Sequence, residues 1–198
     1  SDNGLSSGHV RVFVSEKLTA CLLFSSRRVS NISHSHLQYT FIFQSVPATA
    51  PLIWKQQGQA FVGDANEDRL GTSVAISADA KSLVVGAPGL YNLNNQTDYV
   101  GKTGYVKVYR TNDDGWNSMQ LIGQGIFGEA ALDYFGNSVD ISSDGKTVAI
   151  GAPGVSWVND RPGYVQVFYL ESDDFGSSQK QLGQDITGDA IGDGFSDQ

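Results

Sequence analysis

Oxygen-bearing side chains at regular spacing are the chemistry this sequence offers. Asp140, Ser142 and Asp144 stand at alternate positions and are followed by Gly145. Hard cations take oxygen ligands arranged in this way. The same places earlier in the chain hold Ala75, Ser77 and Asp79. The competing expectation is a tight hairpin in which Asp144 hydrogen-bonds its own backbone. A second acidic set pairs Asp64 with Asp68, Glu129 with Asp133, and Asp189 with Asp193, each pair four residues apart. Such a carboxylate can tie down backbone N–H groups in a turn; the alternative is a cation site. Acid–base or nucleophilic catalysis would need a His or Cys beside a carboxylate. Cys21, His34 and His36 lie in a segment foreign to the rest of the chain, and His9 sits in a β-rich run. The sequence shows no catalytic site, and a non-enzymatic protein is expected.

The acidic pairs belong to a repeat. Gly63-Asp64 recurs as Gly128-Glu129 and Gly188-Asp189, at spacings of 65 and 60. Gly86-Ala87-Pro88-Gly89 recurs as Gly151-Ala152-Pro153-Gly154. Gly104-Tyr105-Val106-Lys107-Val108-Tyr109 recurs as Gly163-Tyr164-Val165-Gln166-Val167-Phe168, with a further copy at Gly8-His9-Val10-Arg11-Val12-Phe13. Each unit reads as four strands. The first runs from about Trp116 to Phe127, or Trp54 to Val62 in the earlier copy. The second is Gly136 to Ile141. The third, Thr147 to Ala152, is apolar on both faces, as a strand packed on two sides should be. The fourth, Tyr164 to Tyr169, is rich in Val and aromatics. Asp144-Gly145 is a strong hairpin signal. Its counterpart Asp79-Ala80 lacks the glycine, so that turn must differ or carry strain. Trp54 and Trp116 hold equivalent places and read as core rather than as ligand platforms.

Four-stranded units of about 60 residues point to β-propeller blades, so the fold class is all-β. Phe135-Gly136 with Gly151-Ala152-Pro153, and Leu70-Gly71 with Gly86-Ala87-Pro88, resemble the FG-GAP repeat, the blade of the integrin α-subunit propeller. The resemblance covers roughly residues 54–198 and Gly8 to Phe13. It implies a partial propeller of antiparallel blades, an extracellular or cell-surface setting, and calcium as the cofactor to test. In that family calcium sits in a loop between the second and third strands. Here the ninth position from Asp140 is Val148, where the family's loop has Asp, so both copies of this loop are short and poor in carboxylates.

The expected organisation is the end of a preceding blade at 1–13, an insertion or connector at 14–53, blades at 54–115 and 116–177, and the start of a further blade at 178–198. Closing a propeller takes about 4–8 blades, so the chain is expected to be a fragment whose first partners are the remaining blades. The 198 residues carry a formal charge of −8, which argues against nucleic acid and anionic membrane as partners. The single Cys excludes a disulfide framework and a Cys-based zinc site. No run reaches the ~18 apolar residues of a membrane span. Asn31 and Asn95 head glycosylation sequons.

The period fails between Gly8 and Gly63, whose spacing of 55 should match the 24 from Gly104 to Gly128. Removing Val14 through Gln44 restores the match. That segment has no Gly and a net charge of +2, leaving −10 for the remainder. It reads either as a loop inserted between blades or as translated non-coding sequence. Its apolar pieces, Leu22-Leu23-Phe24 and Tyr39 to Phe43, could form a stray strand or helix.

The two loops that follow the Gly-Ala-Pro-Gly corners differ in length, and variable loops of repeat architectures often carry binding. Tyr91, Asn92, Asn94, Asn95, Asp98 and Tyr99 in the first, and Trp157, Asn159, Asp160 and Arg161 in the second, are the candidates. The function expected is a binding or adhesion module with a protein or glycan ligand. The alternatives are a scaffold domain of a larger enzyme and a carbohydrate-binding propeller.

Overall fold

A computed structural model describes residues 8–15, 21–26, 37–42, 54–65, 67–89, 103–112, 115–154, 162–171 and 179–189. Among these there are three antiparallel sheets and no α-helix. The first sheet comprises β1 (His9–Ser15), β2 (Cys21–Ser26), β3 (Leu37–Ile42) and β4 (Trp54–Val62), in the order β3-β2-β1-β4. The second comprises β5 (Ser73–Ile76), β6 (Ser82–Ala87), β7 (Tyr105–Arg110), β8 (Gln120–Leu121) and β9 (Ile126–Phe127). Its order is β5-β6-β7-β8, with β9 continuing β8's edge along β7. The third repeats it with β10 (Ser138–Ile141), β11 (Thr147–Ala152), β12 (Tyr164–Leu170), β13 (Gln179–Gln181) and β14 (Ile186–Thr187).

The central strands are those the sequence marks as apolar on both faces. Every residue of β6 is buried. On that strand Leu83, Val85 and Ala87 join Val10 and Val12 of the first sheet, with Leu70 and Tyr105, in one core. Val84 turns the other way and packs with Phe135 and with Ile141, Val148 and Ile150 of the third sheet. A period of two therefore sends alternate side chains into two different cores. The sheets stack face to face, as successive blades do, with the second covered by the first on one face and by the third on the other.

Two details differ from the sequence expectation. The run Trp116 to Phe127 is not one strand. Trp116–Ser118 is a 3-10 turn, and β8 and β9 are separated at Gly123, which has φ +61°. In addition, the first strand of each sequence repeat pairs with the fourth strand of the repeat before it. Tyr109 stands opposite Leu121, and Phe168 opposite Gln181. The sheets thus cross the boundaries drawn at 115/116 and 177/178.

Glycine fits the joint between sheets because nothing larger would. A Cβ on Gly104 would lie 2.3 Å from the Phe135 carbonyl oxygen, and one on Gly8 would lie 2.4 Å from that of Leu70. The Phe135 and Leu70 corners each dock on the glycine that opens the preceding fourth strand.

Candidate functional site

The paired carboxylates divide their work. In the two pairs whose inner member is described, that member is buried, with Asp68 4% and Asp133 1% exposed. Left-handed residues flank both: Glu67 and Arg69 at φ 67° and 56°, Leu132 and Tyr134 at φ 68° and 54°. This shape turns the carboxylate back into its own loop. Asp68 Oδ2 accepts the Ala65 N–H at 2.7 Å and the Tyr105 hydroxyl at 2.9 Å. Asp133 Oδ2 accepts the Ala130 N–H at 2.8 Å and the Tyr164 hydroxyl at 3.0 Å. Each tyrosine oxygen in turn accepts a backbone N–H, from Asp64 at 3.1 Å and from Glu129 at 3.3 Å. The carbonyls of Asp68 and Asp133 take the N–H of Gly89 and Gly154, the last residues of the Gly-Ala-Pro-Gly corners. One aspartate per repeat therefore pins its own turn, the fourth strand and the corner where the variable loop leaves.

Burial, ahead of the neighbouring carboxylates, holds the Tyr105 and Tyr164 hydroxyls well above the ordinary phenol value. The outer members of the pairs face solvent. Asp64 meets Lys107 Nζ at 2.5 Å with its own side chain 61% exposed, an arrangement worth about 0–1 kcal/mol. Glu129 accepts Gln166 Nε2 at 3.2 Å, and Gln166 also donates to Asp185 at 3.0 Å. Asp189 is exposed. Asp193 lies outside the described residues.

The Asp140, Ser142, Asp144 turn closes on itself. Asp144 Oδ1 accepts the Ser142 hydroxyl at 2.5 Å and the Lys146 N–H at 3.0 Å, and Ser142 Oγ accepts the Thr147 N–H at 2.9 Å. The Ser142 hydroxyl, and then the Lys146 N–H, hold the Asp144 carboxyl below its usual value. The earlier copy is built alike. Asp79 Oδ1 accepts Ser77 Oγ at 2.6 Å and Lys81 N–H at 3.0 Å, and Ser77 Oγ accepts the Ser82 N–H at 3.0 Å. Ala80 takes φ +57° where Gly145 takes +70°, so the turn without glycine keeps its shape and carries the strain. Asp140 is exposed and its Oδ1 accepts the Ile141 N–H.

A cation already reaches this turn. Arg110, 6% exposed, donates from Nε to Ser82 Oγ at 2.9 Å and from a terminal nitrogen to the Gly145 carbonyl at 2.5 Å. Asp140 Oδ1, Ser142 Oγ and Asp144 Oδ1 each accept a backbone N–H of the turn, and the guanidinium holds the Gly145 carbonyl. The arrangement fits a hydrogen-bonded hairpin and does not fit an oxygen cage. Among the described residues no three His, Cys, Asp or Glu side chains are grouped to hold a metal.

The loop candidates Tyr91, Asn92, Asn94, Asn95, Asp98, Tyr99, Trp157, Asn159, Asp160 and Arg161, and the sequon residue Asn31, lie outside the described residues. Both ends of each loop are described, and they correspond. Each loop leaves at a corner glycine bonded to a buried aspartate carbonyl. Each returns at the glycine opening a fourth strand, Gly104 or Gly163, whose carbonyl accepts the N–H of Gly128 or Gly188.

Sequence reasoning missed three groups of residues. The tyrosines at 105 and 164 read as strand residues and prove to be the partners of the buried aspartates. Arg110, one residue past the recurrent run that ends at Tyr109, bridges two sheets. Gly58, Gly123 and Gly183, all at positive φ, bend the outer strands. They recur at the same spacings of 65 and 60 as Gly63, Gly128 and Gly188, a signal that was there to be found.

Residues 128–168 match the family model of the FG-GAP repeat. The match runs from the end of β9 through β10 and β11 into β12. It takes in Phe135-Gly136 and Gly151-Ala152-Pro153, the residues that carry the resemblance, and also Asp133. No curated protein matches the chain.

Proposed function

We propose, from the FG-GAP repeat that this chain carries, that it is a non-enzymatic binding or adhesion module of an extracellular or cell-surface propeller protein, holding a protein or glycan ligand through its inter-strand loops. The observation that supports this reading is the use to which the recurrent polar residues are put. Asp68, Asp133, Tyr105 and Tyr164 are buried and bonded to one another and to backbone. They fix the corners from which two loops of different length and sequence emerge. A repeat that makes its scaffold identical and its loops different is suited to recognition. No helix among the described residues is long and apolar enough to cross a membrane.

The test is replacement of residues 91–99, and separately of 157–161, by Gly-Ser linkers of equal length. The wild type and both variants would be screened as immobilised protein against a glycan array and a panel of extracellular proteins. At least one ligand should bind the wild type and lose tenfold or more in affinity in one variant, with unchanged melting temperature. A ligand held equally by all three proteins, or hydrolysis of a glycan on the array, would defeat the reading.

A further inference from the structure

The first sheet has the strand order of the other two but reaches it by a different route. In the second and third sheets, β7 and β12 have an outer strand on one side and the Gly-Ala-Pro strand on the other. β1 has β4 as its outer strand, yet its other neighbour is β2, from the segment that breaks the repeat. β6 and β11 precede their partners in the chain, whereas β2 follows β1.

The register agrees all the same. His9 corresponds to Tyr105 in the repeat. Ser26 stands opposite His9 as Ala87 stands opposite Tyr105. Leu23 stands opposite Val12 as Val84 stands opposite Val108. Cys21-Leu22-Leu23-Phe24-Ser25-Ser26 thus occupies the place and direction of Ser82-Leu83-Val84-Val85-Gly86-Ala87. Both have three apolar residues followed by two small ones. β3 then pairs with β2 as β5 pairs with β6. Gln38 faces Ser25 as Ser73 faces Gly86, and Phe41 faces Leu22 as Ile76 faces Leu83. Place, direction and register coincide in a segment whose charge and lack of glycine set it apart from the repeat.

We propose that β2 and β3 are a resident surrogate for the third and second strands of a blade, and that they close the edge of β1 against any strand from another chain. An unfilled edge would present unpaired N–H and C=O groups, a template for pairing between molecules. The occupant is a segment of the same chain, joined to β1 in sequence.

The single cysteine supplies the test. Cys21 is the register partner of Val14. Directly opposed residues of an antiparallel pair lie within the Cα separation a disulfide needs. In the full chain, Val14→Cys should form an intramolecular disulfide under mild oxidation at least tenfold faster than Arg11→Cys, whose partner is Phe24. Both are read by free-thiol titration of the monomer. Amide exchange gives a second readout. Removing residues 16–44 should speed exchange at the β1 amides bonded to β2 by tenfold or more, leaving β7 and β12 unchanged. Equal disulfide rates in the two cysteine variants would overturn the proposal, as would β1 amides already exchanging in the full chain as fast as in the deletion. Should the deletion fail to fold, the disulfide comparison alone decides.

Discussion

Asp133→Ala is the sharpest probe of the scaffold. Its Oδ2 receives the Ala130 N–H and the Tyr164 O–H at 2.8 and 3.0 Å, with the side chain 1% exposed. A hydrogen bond to a charged acceptor contributes roughly 1.5–3 kcal/mol net, and a buried donor left without a partner costs about 1–3 kcal/mol. Allowing for relaxation of the tyrosine hydroxyl, the expected loss is about 3–5 kcal/mol. That corresponds to a fall in melting temperature on the order of 10 °C for a chain of this size. Asp133→Asn keeps an acceptor oxygen and should lose only about 1–2 kcal/mol. The assay is urea unfolding followed by circular dichroism, with the midpoint expected to move at constant slope. Exposed Asp140→Ala serves as control and should stay within about 0.5 kcal/mol. A double-mutant cycle with Tyr164→Phe should show a coupling of about 1 kcal/mol or more. A loss below about 1 kcal/mol for Asp133→Ala, or an equal loss for Asp140→Ala, would refute the pinning role.

Other perturbations separate the remaining claims. Gly104→Ala combines a left-handed backbone with a contact at 2.3 Å and should cost about 3 kcal/mol or more, whereas Gly183→Ala has φ +75° but open space and should cost about 1 kcal/mol; thermal melts of the pair check the difference. Calcium at millimolar concentration, compared with chelator, should shift stability by less than a few tenths of a kcal/mol; a rise abolished by Asp144→Ala would put a metal at that turn. Burial raises Tyr105 and Tyr164 and pushes Tyr109 up to about 12. Folded values above the unfolded value near pH 10 mean their contribution is complete below about pH 10 and is lost as pH rises through the folded values. Alkaline unfolding should therefore coincide with a cooperative rise in phenolate absorbance, and a gradual rise with the fold intact would contradict it.

The central strands were legible because burial on both faces leaves a one-dimensional mark. Thr147 to Ala152 is a strand with those bounds. The hairpin at Asp144-Gly145 was legible from its dipeptide. The phase of the sheets was not, since a run of β-formers does not state which neighbour it joins. Of each acidic pair, the sequence offered both members equally. What selects Asp133 over Glu129 is the left-handed backbone at Leu132 and Tyr134, residues that do not advertise such a conformation. The likeness of β2 to β6 was hidden for a different reason: a search for period compares segments in chain order, and this strand comes after its partner instead of before it.

The outer strand that each repeat lends to its predecessor gives the array a polarity. A newly duplicated copy would bring the staple for the copy upstream and wait for its own from downstream. Copies could therefore be gained or lost wherever the genetic break falls, provided one whole period moves. A repeat lifted out by itself would always be one staple short, so inheritance in tandem is built into the way the sheets are fastened.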